Sequence, residues 1–143
     1  MSEEMSATLK SGAKDVEDNK LMAVLAYLGI LVLIPLLAAK ESRFAQYHAN
    51  QGLVLIIVAI ASFTGLFIIS TVATFVLGNI PVLGPLLGIL LGTLLYFVAW
   101  VGLMVLMIMG IVNASKGKEK PLPIIGKYKI LKIAEPKAEE STT

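Results

Sequence analysis

Residues 52–77 read GLVLIIVAIASFTGLFIISTVATFVL, a run without a single charge in which sixteen of twenty-six residues are Leu, Ile, Val or Phe. At about −0.3 to −0.6 kcal/mol each on a membrane-insertion scale, those side chains favour the bilayer by roughly 5–10 kcal/mol, more than five hydroxyl residues oppose. Lipid offers the backbone no hydrogen-bond partners, so a single apolar run of this kind satisfies its N–H and C=O groups as an α-helix. At a rise of roughly 1.5 Å per residue it is long enough to cross a bilayer.

On its C-terminal side, Gly78-Asn79-Ile80-Pro81-Val82-Leu83-Gly84-Pro85 packs two prolines and two glycines of its own into a turn. A further uncharged run, 85–113, then predicts a second span, with Pro85 suited to a first helical position. On the N-terminal side, 40–51 is a polar connection, preceded by nineteen uncharged residues at 21–39. That run covers about 28 Å as a helix, just the hydrocarbon thickness, and Pro35 would loosen its last turns. The sequence therefore predicts an all-α, polytopic integral membrane protein with three transmembrane helices (about 21–39, 52–77 and 85–113) and polar tails. The tails are a mobile N-terminal segment, 1–20, and a lysine-rich, interfacial and finally disordered segment, 114–143.

The balance of the composition agrees with lipid as solvent. Of 143 residues 57% are hydrophobic and 15% charged, and between Leu21 and Asn113 only Lys40, Glu41 and Arg43 carry charge. The absence of cysteine excludes disulfides, thiol nucleophiles and Cys-ligated metals, and one histidine cannot build a metal cluster. A net charge of +2 gathered beside a membrane segment does not describe a nucleic-acid groove. The first twenty residues lack the basic start and apolar middle of a cleavable signal peptide, which leaves the first apolar run as the expected targeting signal. Lys and Arg are more frequent beside the first loop and after the third span than near the N-terminus. The expectation is a multi-pass protein of the plasma membrane with its N-terminus outside and its C-terminus cytoplasmic.

Four constellations stand out. On a helix, Phe44, Tyr47, His48 and Gln51 share one 100° sector, as expected either of an interfacial anchor or of a polar cluster that meets a partner. His48 is the one side chain there that titrates near neutral pH. Gly88, Gly92, Ala99, Gly102 and Gly110 fall on one face of the third span, a groove of small residues that lets another helix approach, from the same chain or from a second copy. Thr64, Ser70, Thr71 and Thr74 share a broad face of the second span, where hydroxyls bond back to their own helix or line a wet path. Lys116, Lys118, Lys120, Lys127, Lys129 and Lys132 follow the third span, in the position where basic segments meet anionic headgroups. No Gly-rich phosphate loop, carboxylate pair or nucleophile with a base is present, so neither an enzyme nor a cofactor is expected. The implied partners are the bilayer itself and a homo-oligomer or membrane-protein complex.

Three short motifs occur in order: Lys40-Glu41-Ser42-Arg43-Phe44 with Tyr47-His48-Ala49-Asn50-Gln51, then Ile80-Pro81-Val82-Leu83-Gly84, then Gly117 with Pro121-Leu122-Pro123-Ile124-Ile125-Gly126. Together they resemble a family of small prokaryotic membrane proteins similar to the chloroplast inner-envelope import component Tic-twenty. That resemblance implies a helical component of a protein-translocation or envelope complex. The alternative from the residues is a small transporter or channel subunit whose oligomer encloses a pore.

Overall fold

The computed structural model describes the backbone of residues 2–132 and the side chains of residues 12–132. The chain is helical: α1 (Ser2–Leu25), a short 3-10 turn (Gly29–Val32), α2 (Leu33–Ala38), α3 (Arg43–Leu77) and α4 (Leu83–Ser115). It divides into two compact units. Among the described residues one, the polar module, combines 2–55 with 107–132, and the other, the apolar pair, comprises Ile56–Leu106.

Two helices, α3 with 35 residues and α4 with 33, are long and apolar enough to cross a membrane. In the apolar pair many large side chains are left mostly uncovered by protein: Ile57, Ile60, Phe67, Phe75, Leu90, Phe97 and Val98 are all more than half exposed. An exposed apolar surface of this kind suits contact with acyl chains. The turn between the two helices is closed by Gly84, where a Cβ would collide with the Leu77 carbonyl.

The apolar run 21–39, expected as a first span, is not one helix. α1 ends at Leu25, Gly29 takes φ +62°, and Pro35 sits in the six-residue α2. Ala23, Ala26, Tyr27, Val32 and Pro35 turn inward and are buried in the polar module. The run also returns to where it began, since Asp15 and Asn19 line one small cleft together with Ala38 to Ser42. Its hydrophobicity is spent partly on protein instead of lipid. Close approach at two glycines fixes this packing, because a Cβ at Gly52 would strike the Ala26 carbonyl and one at Gly110 would strike the Tyr27 ring.

The N-terminal segment, expected as a mobile tail, is helical from Ser2 to Leu25. Its Ala, Glu, Lys and Met content and lack of proline suit a helix. The end of the C-terminal tail, expected to be disordered after Glu135, lies outside the described residues.

Candidate functional site

The polar module is organised around the first turns of α3. Ser42 Oγ accepts the Ala45 N–H at 3.0 Å, an N-cap bond, and Asp15 Oδ2 accepts the Phe44 N–H at 3.1 Å from outside the helix. Both satisfy donors that a helix start leaves without partners, and the carboxylate also complements the positive end of the helix dipole. Gln46 Nε2 donates to the carbonyls of Pro35 and Ala39, at 2.8 and 2.9 Å, which ties the broken apolar run to the same turns.

One face of these turns forms an aromatic cage around a buried histidine. The Phe44, Tyr47 and Tyr27 rings meet His48 edge to face, with centroids 4.8, 5.3 and 5.7 Å away. The Tyr27 hydroxyl lies 2.8 Å from His48 Nδ1, and His48 Nε2 is buried without a hydrogen-bond partner. Burial, reinforced by Tyr47, pushes the Tyr27 phenol above its ordinary range. Among the described residues no carboxylate bonds to the ring, and the cage there has the construction of a packed core.

Next to the cage lies a clamp built from two buried amides. Gln51 Oε1 accepts the Leu122 N–H at 3.3 Å and its Nε2 donates to the Gly126 carbonyl at 3.0 Å. Asn50 Nδ2 donates to the Tyr128 carbonyl at 2.9 Å, while its Oδ1 accepts from Ile130 at 2.6 Å and Leu131 at 2.9 Å. All five bonds go to backbone, so the clamp fixes the path of residues 122–131 whatever side chains they carry. Arg43 and Glu119 add a 2.9 Å ion pair, and a Cβ at Gly117 would press against Val16 and Lys20.

These contacts correct the expected topology. Asp15 and Lys20 before the apolar run, Arg43 and Phe44 after it, and Gly117 and Glu119 beyond α4 touch one another within one unit. A bilayer cannot separate groups in contact, so residues 15–20 and 117–119 on opposite sides of a membrane do not fit this structure.

Phe44, Tyr47, His48 and Gln51 thus come together as the helical face predicted, but Phe44, His48 and Gln51 are buried under protein. Sequence reasoning missed Tyr27, Asp15 and Asn50. The last had a signal: two adjacent amides directly before a long apolar run need partners that lipid cannot supply. The small-residue face is occupied unevenly. Gly110 is filled by Tyr27, the nearest atom to a Cβ at Gly88 would be Thr74 Oγ1 at 3.6 Å, and Gly92 and Gly102 have nothing within 4 Å. Open space there is flanked by Tyr96 and by Phe63, whose rings stack at 6.1 Å. Ser70, Thr71 and Thr74 donate to carbonyls of their own helix. Lys116, Lys118, Lys120, Lys127, Lys129 and Lys132 are all exposed. Among the described residues no group of three or more His, Asp or Glu could hold a metal ion.

Fold and site together define an all-helical protein in which two apolar helices are long enough to cross a membrane and a small polar module is clamped by buried amides. Residues 18–129 match the model of the magnetosome magnetite crystal formation protein family, and the chain belongs to that family. Similar proteins include magnetosome protein MamF of Paramagnetospirillum magneticum, 32% identical over 108 residues covering 76% of this chain and 79% of that one. MamF of Magnetospirillum gryphiswaldense is 30% identical, covering 73% and 77%. Magnetosome protein MmsF of Paramagnetospirillum magneticum is 29% identical, covering 73% and 78%. No solved structure matches the chain. The family overturns the translocation reading drawn from the Tic-twenty resemblance, and with it the alternative of a transporter or channel subunit.

Proposed function

We propose that the chain is a non-enzymatic protein of the magnetosome membrane that takes part in magnetite crystal formation. It crosses that membrane twice, through α3 and α4, and holds the polar module on the cytoplasmic face. The observation that carries this reading is the family match over residues 18–129, which contains the cage, both apolar helices and the clamp except its last two partners, Ile130 and Leu131. The orientation rests on charge: all ten Lys and Arg residues from Lys14 to Lys132 fall in the polar module, and the turn at 78–82 has none. The segment 28–37, with Ile30 and Leu37 well exposed, dips into the same leaflet without crossing.

Chemistry then limits how the protein acts on the crystal. An iron oxide surface is bound by carboxylates, and Gly78-Asn79-Ile80-Pro81-Val82 on the far side offers none. Growth is therefore influenced through the membrane or through partners of the module, not by a templating loop.

The test is complementation. Deleting both the MamF and MmsF relatives in Paramagnetospirillum magneticum and expressing this chain should restore crystal dimensions seen by electron microscopy. Crystals that stay unchanged while the chain is present in the magnetosome fraction would reject the proposal. Because the chain has no cysteine, single cysteines at Asn79 and at Lys118 report orientation. Labelling of Lys118→Cys from the compartment interior would reverse the assignment.

A further inference from the structure

Residues 122–132 are held by the clamp in a way that divides their side chains. Leu122 and Ile125 are buried, whereas Ile124, Tyr128 and Ile130 are 86%, 56% and 49% exposed. Between and after the exposed apolar groups stand Lys127, Lys129 and Lys132, all exposed. The exposure of Ile124 is imposed by the backbone. It takes φ +68° at the centre of a γ-turn that the Ile125 N–H closes on the Pro123 carbonyl at 2.7 Å. A β-branched residue in that region is strained, and a turn of this hand is uncommon. The Gly126 N–H donates to Leu122 at 2.9 Å, and a Cβ at Gly126 would collide with the Leu122 backbone, which locks the turn.

The same device occurs once more, at the joint of the two apolar helices. In Ile80-Pro81-Val82-Leu83-Gly84, Val82 has φ +64°, the Leu83 N–H closes on Pro81 at 2.7 Å, and Gly84 donates to Ile80 at 3.1 Å. Val82 is 83% exposed at its tip. There the surroundings of the exposed side chain are the end of a membrane helix pair.

The level of residues 122–126 in the bilayer follows from the clamp. Gln51, which binds Leu122 and Gly126, is the last polar residue before the apolar run, so these two residues lie where hydrocarbon begins. We propose that residues 122–132 bind anionic phospholipid in the leaflet beside the polar module, with Ile124 inserted at the acyl boundary and Lys127, Lys129 and Lys132 on the phosphates. Water would be a poor solvent for the apolar half of this surface and neutral headgroups a poor partner for the basic half. An anionic bilayer accommodates both. The inference rests on α3 and α4 spanning a membrane, and its test is independent of any effect on magnetite.

The full chain carrying Ile124→Cys, its single cysteine labelled with an environment-sensitive fluorophore, is placed in nanodiscs of phosphatidylcholine alone or mixed with phosphatidylglycerol. Phosphatidylglycerol should lower quenching by aqueous iodide several-fold and raise quenching by shallow spin-labelled lipid, because each lysine near such a surface contributes about fivefold. Replacing Lys127, Lys129 and Lys132 by Gln should abolish the difference. The same comparison with Tyr128→Cys, away from the strained turn, guards against a local distortion. Equal access of iodide in both bilayers would overturn the proposal, as would protection that follows protein concentration instead of lipid charge, the signature of a second copy.

Discussion

Asn50→Ala should release the C-terminal segment while leaving the membrane helices in place. The substitution removes three hydrogen bonds, to Tyr128, Ile130 and Leu131. At about 0.5–1.5 kcal/mol net per bond, the clamp loses about 1.5–4.5 kcal/mol. The lower end applies if the freed backbone reaches water by lifting away, and the upper end if Gln51 still holds Leu122 and Gly126 so that the released groups stay enclosed. With tenfold per 1.4 kcal/mol, amide exchange at Ile130 and Leu131 should accelerate by about ten- to a thousandfold. Hydrogen exchange of the full chain in detergent or nanodiscs measures this directly. Asn50→Asp separates the two halves of the amide: it keeps an acceptor for Ile130 and Leu131 but has no donor for Tyr128, so protection at 130 and 131 should largely persist. Exchange at Ile130 and Leu131 within twofold of the parent in Asn50→Ala would show that the clamp does not hold the segment, and the reasoning would fail.

Tyr27→Phe strips His48 of its one side-chain partner and leaves both ring nitrogens buried without a bond, so thermal unfolding in detergent should reveal a loss of about 1–3 kcal/mol. Gly110→Leu forces Tyr27 out of its seat and should destabilise by at least about 1–3 kcal/mol by the same measurement. Gly92→Leu, with nothing within 4 Å, should stay within about 0.5 kcal/mol of the parent, and any change in assembly state on gel filtration would then belong to contacts between chains. Ser42→Ala removes the cap of α3 and should cost about 1 kcal/mol, seen as faster exchange at Ala45.

The two apolar helices were legible because a long uncharged run has one solution in hydrocarbon. Their limits were less so: α3 begins at Arg43, nine residues before the apolar run, because the polar connection is itself helical and capped by Ser42. The failure at 21–39 has a definite cause. Summed hydrophobicity counts Tyr27, Val32 and Pro35 as lipid-facing, yet the same side chains can be buried by protein, and only the positive φ at Gly29 and the position of Pro35 betray the break. The face of Phe44, Tyr47, His48 and Gln51 followed from helical geometry alone. What covers it did not, because the partners of Asn50 and Gln51 lie more than seventy residues away.

The misleading resemblance has a physical origin too. Among the residues that suggested a translocation component, Tyr47 to Gln51, Ile80 to Gly84 and Pro121 to Gly126 help build the cage, the clamp and the two γ-turns. Each solves a problem of architecture. Buried amides satisfy a backbone at the hydrocarbon boundary, where water is scarce, and a Pro-aliphatic-aliphatic-Gly turn reverses the chain while turning one apolar side chain outward. A membrane protein of any activity that folds a polar tail against the start of a spanning helix meets the same demands. Motifs of this kind report how the chain is folded, and the activity has to be sought in what distinguishes the exposed surface: here exposed lysines with an apolar tip set among them.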